Sequence, residues 1–151
     1  MIEVVLSDSE MTMAALVGVR RHLDALHADL PDAFGARREG GFDLHIAGAL
    51  GEACAAKALN RYWDASVGTF RTRADVGTFE VRTRSSHEYD MLLRPSDDGA
   101  KHYVLVTGAA PGPWRVWGYI KGADGKRPEF LREHGRRVAA FFVPKEELTP
   151  L

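Results

Sequence analysis

Asp75-Val76-Gly77-Thr78-Phe79-Glu80-Val81-Arg82-Thr83 is the stretch whose reading decides the fold of this chain. From Phe79 to Arg84 apolar and charged residues alternate, which predicts a strand. Its two-residue period places Glu80 and Arg82 on one face and Phe79 and Val81 on the other. Asp75 precedes Glu80 by five residues, an odd separation that sends two side chains of a straight strand to opposite faces. Gly77 lies between them, and glycine permits the bend or bulge that would turn Asp75 back toward Glu80. Taken alone, Glu80 and Arg82 describe an exposed edge strand with a surface ion pair, an interaction of little energetic worth. The residues around this stretch decide whether it is more than that.

Upstream the periodicity is helical. Ser7-Asp8-Ser9-Glu10 reads as a capping box, and Met11, Ala15, Val19, Leu23, Leu26 and Leu30 recur at helical spacing, predicting a helix over 8–29 that ends before Pro31. Arg20, Arg21 and His22 are expected to face solvent. Residues 31–41, with Gly35, Arg37, Arg38, Gly40 and Gly41, read as a loop. A second helix is predicted over 42–62. Its middle is crowded with Gly48, Ala49, Gly51, Ala53, Ala55, Ala56 and Ala58. Each glycine costs such a helix roughly 1 kcal/mol relative to alanine, which implies close packing against another element. Glu52 lies inside this small-residue tract.

Downstream the pattern changes to strands. Residues 67–73 read as extended, Ser85–Glu88 as a turn and Met91–Arg94 as a short strand closed by Pro95 and the Asp97-Asp98-Gly99 turn. Tyr103–Val106 and Trp114–Ile120 read as a hairpin with a wide loop. A short helix over 129–134 capped by Gly135 and a final strand at 141–143 complete the chain. The helices are not interleaved regularly with the strands. The expected class is therefore α+β, a central mixed β-sheet flanked by helices. The 151 residues form one domain (1–151), with an N-terminal helix, a motif-bearing core over 42–121 and a tail over 122–151.

With a net charge of −1, the chain is no polycation, so a nucleic-acid surface has to be local. A lone cysteine, Cys54, excludes an intramolecular disulfide and fits a reducing compartment; on an alanine-rich helix it reads as a buried small residue. No signal-peptide pattern and no apolar run near the ~18 residues of a membrane span occur, giving the expectation of a cytoplasmic protein without a membrane partner.

Glu52, Asp75, Glu80 and Arg82 form the candidate site. Phosphodiester hydrolysis needs a hard divalent ion held by a few carboxylates, with waters left on it. Asp75 and Glu80 are suited to hold Mg²⁺ or Mn²⁺, Glu52 to complete the shell or hold a metal-bound water, and Arg82 to stand beside the phosphate. This arrangement resembles the PD-(D/E)XK nucleases, the restriction-endonuclease-like superfamily. In that superfamily a helix carries a glutamate, a later strand supplies an aspartate and the next strand carries (D/E)-x-K. The matching residues are Glu52 in Gly48-Ala49-Leu50-Gly51-Glu52-Ala53-Cys54-Ala55, Asp75, and Glu80-Val81-Arg82. The run from His45 through Val116-Trp117-Gly118-Tyr119-Ile120 resembles small phage-associated members more narrowly. The resemblance implies a metal-dependent nuclease acting on DNA in the cytoplasm of a bacterial host. A homodimer and a phage or host protein partner stay open. The chain departs from the pattern at Arg82, a permanent cation that cannot give up a proton as lysine can.

Arg71, Arg73, Arg84 and Arg94 surround the site in sequence and are candidate phosphate contacts. Asp90 could approach the site if its strand forms a hairpin with the Glu80 strand. His45 and His87 read as surface or core-edge histidines. Trp114, Trp117 and Tyr119 read as sheet core ahead of a base-stacking platform. Three other readings compete: an inactive relative that binds DNA or a protein, an interaction protein whose charges are a solvated network, and a glycosidase using Glu52 and Glu80.

Overall fold

The computed structural model describes residues 1–27, 41–67, 73–133 and 139–151. The expected loop at 31–40, most of the expected extended segment at 67–73, and Gly135 lie outside them. In chain order come β1 (Ile2–Val4), α1 (Asp8–His27), α2 (Gly41–Ala58), β2 (Phe79–Arg84), β3 (Met91–Leu93), β4 (His102–Thr107), β5 (Trp114–Lys121), the one-turn α3 (Gly122–Gly125), β6 (Leu131–Arg132) and β7 (Ala140–Val143). No described helix is long and apolar enough to cross a membrane.

The start of α1 is the capping box. The Glu10 amide donates to Ser7 Oγ at 3.3 Å, and Glu10 Oε2 accepts from the Ser7 amide at 2.6 Å. Lys57, near the end of α2, donates to both Glu10 oxygens and to the Val5 carbonyl. These bonds, that of Lys57 first, hold the Glu10 carboxyl down at about 2. The same contacts tie the entry of α1 to the exit of α2.

α2 ends at Ala58, short of the expected 62, because Asn60 takes a left-handed conformation (φ 49°). The Asn60 amide then bonds the Lys57 carbonyl and the Arg61 amide the Ala56 carbonyl. This paired termination satisfies carbonyls that the helix leaves open, and asparagine tolerates the backbone angle better than most residues.

Seven of the strands form two sheets. The larger has the order β1-β5-β4-β2, antiparallel except for the parallel pair β2–β4, and so is mixed as expected. The smaller is antiparallel, in the order β3-β7-β6. β3 thus leaves the sheet that holds β2, and the two are not a hairpin; Asp90 lies instead in the field of Arg84. The expected helix at 129–134 is also replaced. Pro128–Phe130 makes a single 3₁₀ turn, and Leu131–Arg132 then pairs with β7. Pairing with the last strand outweighs a short helical pattern that a proline opens.

The two long helices α1 and α2 lie on one face of the larger sheet. On that face Val81, Val104, Val106, Trp114 and Val116 pack against Ala14 of α1 and Ala49, Leu50 and Ala53–Ala56 of α2. The other face is covered by the smaller sheet. There Tyr103, Leu105 and Ile120 pack on Met91, Leu93, Val143 and Phe130. The architecture is α+β in three layers: α1 and α2, the central mixed sheet, and the smaller sheet.

The small residues of α1 and α2 set the distance between the layers. A Cβ on Gly51 would stand 1.8 Å from Thr83 Oγ1, so α2 lies directly on β2. A Cβ on Gly18 would stand 2.5 Å from Ile46 Cα, so α1 and α2 touch backbone to backbone. Gly48, in contrast, faces open space, and its place in the small-residue tract has no packing reason.

Candidate functional site

β2 is the last strand of its sheet, with β4 on one side only. The Arg84 carbonyl accepts from Gly108, just past β4, so Glu80, Arg82 and Arg84 direct their backbone groups toward β4. Phe79, Val81 and Thr83 direct theirs to the outer edge. Two features occupy that edge. Val76 and Phe79 exchange both backbone hydrogen bonds (2.9 and 3.1 Å) around the two-residue turn Gly77-Thr78. Gly77 has φ 60°, a conformation glycine takes at little cost. Beyond the turn, Asp75 Oδ2 accepts from the Val81 amide at 2.8 Å. The bend expected at Gly77 is present, and it returns the Asp75 carboxylate to the middle of β2.

Glu52 and Glu80 both act electrostatically on Asp75. Glu52 approaches from the helical face, Asp75 sits on the edge, and Glu80 points to the opposite face with Arg82, as the alternation predicts. Burial raises the Asp75 carboxyl to about 7; the Glu52 charge and, more weakly, that of Glu80 push the same way, while the Val81 hydrogen bond and Arg82 oppose them. Asp75 is therefore poised between its protonated and ionised forms near neutral pH.

Glu52 is buried, at 6 % exposure, and both its oxygens are taken. Arg21 Nη1 donates to Oε1 at 2.5 Å and Nη2 to Oε2 at 2.8 Å; Trp63 Nε1 adds a third bond at 3.1 Å. Arg21 also donates twice to the Ser66 carbonyl. Burial works against the charge of Arg21, but Glu52 outweighs it and the guanidinium is held above its usual range. Arg21 and His22 thus face inward, against the expectation of solvent exposure. The close approach of α1 at Gly18, one turn earlier, carries Arg21 onto Glu52. With three donors on its two oxygens, Glu52 is held by protein groups in this structure.

Arg82 is engaged as well. Its Nη2 lies 2.9 Å from Asp97 Oδ1, and its guanidinium stacks 4.6 Å from the centre of the Tyr103 ring. Asp97 in turn accepts from the Arg94 amide and so fixes the turn after β3. The cation beside Glu80 is a residue the sequence did not single out. Lys101 Nζ lies 2.5 Å from Glu80 Oε1. Lys101 immediately precedes β4, and the register Phe79↔His102, Glu80↔Tyr103 brings it onto the face of Glu80.

The other candidates divide. Arg73 pairs with Asp64 at 3.3 Å and stays 67 % exposed. Arg84 lies over the Tyr89 ring at 4.9 Å, and burial lowers its pKa. Arg94 makes an interaction of its own, and Arg71 lies outside the described residues. His87 shares the buried Thr107 hydroxyl with Trp117 Nε1, and His45 stacks on His22 at 5.2 Å. Trp114 is core, and Tyr119 packs edge-on against Phe79. Cys54 is fully buried and its thiol is pushed up to about 12, so it is inert.

Among the described residues no three His, Cys, Asp or Glu side chains gather as a ready ligand set. Asp75 and Glu80 remain as a pair of hard oxygen donors on one strand edge. That donor set fits Mg²⁺ or Mn²⁺, which are commonly held by one or two carboxylates with water and substrate phosphate completing the shell. No protein family, curated protein or solved structure matches the chain.

Proposed function

We propose that this protein is a divalent-metal-dependent nuclease with a restriction-endonuclease-like site. The observation that carries the reading is the Gly77 turn. It sets Asp75 against the Val81 amide, beside Glu52 and Glu80, at the cost of a carboxyl raised to about 7. A fold gains nothing in stability from crowding carboxylates on a sheet edge. The arrangement makes sense where a cation is to be bound.

Mg²⁺ or Mn²⁺ at Asp75 and Glu80 would acidify a bound water and offset charge on a phosphate. The protein supplies the rest. Asp75, held by the Val81 amide through one oxygen, and Glu80, now paired with Lys101, would be the residues that hold the ion, Asp75 in its ionised form. Glu52, clamped by Arg21 and Trp63, adds negative potential from the helical side without leaving its place. DNA is the substrate that the resemblance implies, and Arg73 is the exposed arginine beside the site.

One observation favours a second reading, a related protein that binds DNA without cutting it. The closed Arg21–Glu52 fork and the Arg82–Asp97 pair tie up two of the four expected site residues. A single experiment separates the readings. Purified protein is incubated with linear, nicked, branched and single-stranded DNA in Mn²⁺, Mg²⁺ or EDTA, beside Glu80→Ala. Cleavage that needs metal and is lost in the variant is expected. Cleavage that persists in EDTA sinks the metal site, and binding without cleavage supports the second reading.

A further inference from the structure

We propose that Lys101, reaching across from the start of β4, is the cation that meets the substrate phosphate, and that Arg82 is a strut. This rests on the nuclease reading and assigns a residue to its site. Three observations support it. First, Arg82 is committed elsewhere: its guanidinium is paired to Asp97 at 2.9 Å, stacked on Tyr103, and only 26 % exposed. Moving it to a phosphate would break its pair with Asp97, whose other oxygen holds the turn between β3 and β4. Second, Lys101 is 41 % exposed, and its ammonium is 2.5 Å from Glu80 Oε1. Asp75 and Asp98 lie in its field as well. It therefore lies among three carboxylates while keeping access to solvent. Third, the stem is anchored. The Lys101 amide donates to the Asp98 carbonyl and its own carbonyl accepts from Gly122, so the backbone fixes where its side chain starts.

The parallel pairing of β2 with β4 makes this possible. A lysine just before β4 lies next to Glu80 in space although it is 21 residues away in sequence. In the metal-free protein Lys101 holds Glu80 as a stand-in cation. Once an ion takes Glu80, the released ammonium is left at the solvent side of the site, where a phosphate oxygen bound to that ion would lie. A lysine, with three rotatable donors on a flexible stem, suits that exchange better than a guanidinium fork.

The test compares wild type, Lys101→Met and Lys101→Arg in three measurements: Mn²⁺ binding by calorimetry without DNA, binding of a short duplex in Ca²⁺, and cleavage of the same duplex in Mn²⁺. Lys101→Met is expected to bind Mn²⁺ several-fold more tightly, because a competing cation is gone. It should bind duplex several-fold more weakly and cleave at least a hundredfold more slowly. Lys101→Arg should recover duplex binding. An active wild type with Lys101→Met unchanged in all three overturns this assignment and leaves the nuclease reading standing. So does an Arg82→Met variant that keeps its unfolding temperature yet shows the effects expected of Lys101→Met. A wild type that neither binds Mn²⁺ nor cleaves overturns the nuclease reading, and the assignment with it.

Discussion

Replacing Asp75 by asparagine should make the metal-free protein more stable, and only at high pH. The folded protein holds the Asp75 proton up to about pH 7, while an unfolded chain releases it near 3.8. Between those values the native state binds more protons than the unfolded state, so stability falls as pH rises through this window. Above pH 7 the penalty is complete, and below 3.8 it is absent. At 1.36 kcal/mol per pH unit the full shift corresponds to a ceiling of about 4 kcal/mol. Asparagine keeps an oxygen for the Val81 amide and carries no charge against Glu52 or Glu80. In EDTA, Asp75→Asn should therefore gain about 2–4 kcal/mol over wild type at pH 8.5 and much less at pH 5. For a chain of this length that is roughly 5–15 °C in unfolding temperature. Thermal unfolding from pH 5 to 8.5 measures it directly. Saturating Mn²⁺ should narrow the difference by stabilising wild type alone. A variant less stable than wild type at pH 8.5, or a gain equal at both ends of the range, refutes the account of crowded carboxylates.

Other perturbations read other parts of the structure. Arg21→Met leaves Glu52 buried without its fork, and urea unfolding should show a loss of about 3–5 kcal/mol, typical of breaking one side of a buried pair. Gly51→Ala should cost about 1–3 kcal/mol by driving a methyl into Thr83, with part of the loss recovered when Thr83→Ala is added, as overpacking at one contact predicts. Gly77→Val should destabilise the protein and weaken Mn²⁺ binding together, because a β-branched residue resists φ 60° and the turn places Asp75. Cys54 should react with a thiol reagent only after denaturant is added, since a fully buried thiol raised to about 12 supplies almost no thiolate at pH 8.

Much of the local structure was legible because it rests on local physics. The capping box, the alternation of β2 and the bend at Gly77 each follow from neighbouring residues. The face assignment of Glu80 and Arg82 holds for the same reason. What the sequence concealed depends on pairing between distant segments. β3 carries the same kind of short apolar pattern as a hairpin partner of β2, yet it pairs with β7, whose Phe141 and Val143 cover it. Arg21 sits in a run of polar residues that periodicity alone assigns to solvent. Only the close approach of α1 and α2 at Gly18 turns it inward, and the glycine within that helix was the available signal. Lys101 was legible only once β2 and β4 are known to run parallel. Between Gly99 and Tyr103 the sequence shows a turn and nothing that marks its lysine.

These long-range partners change how the site has to be understood. Asp75 and Glu80 were expected to hold the ion, with Glu52 completing its shell or holding a metal-bound water. Each has a different counterpart: Glu52 a permanent guanidinium, Glu80 a half-exposed ammonium, and Asp75, raised by burial to about 7, a proton at and below neutral pH. The three differ in how easily they are displaced. A bidentate, buried arginine fork resists an incoming ion, a half-exposed lysine gives way to one, and a proton bound near pH 7 is lost at slight cost. Displaceability thus runs across the sheet edge from the helical face outward. An ion entering from solvent would meet Glu80 and Asp75 first and would not need to disturb Glu52. On that ordering Glu52→Gln should weaken Mn²⁺ binding less than Glu80→Gln, because glutamine at position 52 removes only a background charge. Calorimetric titration of the two variants at pH 8 decides it, and a larger loss from Glu52→Gln would mean that the arginine fork opens to let the helix glutamate reach the ion.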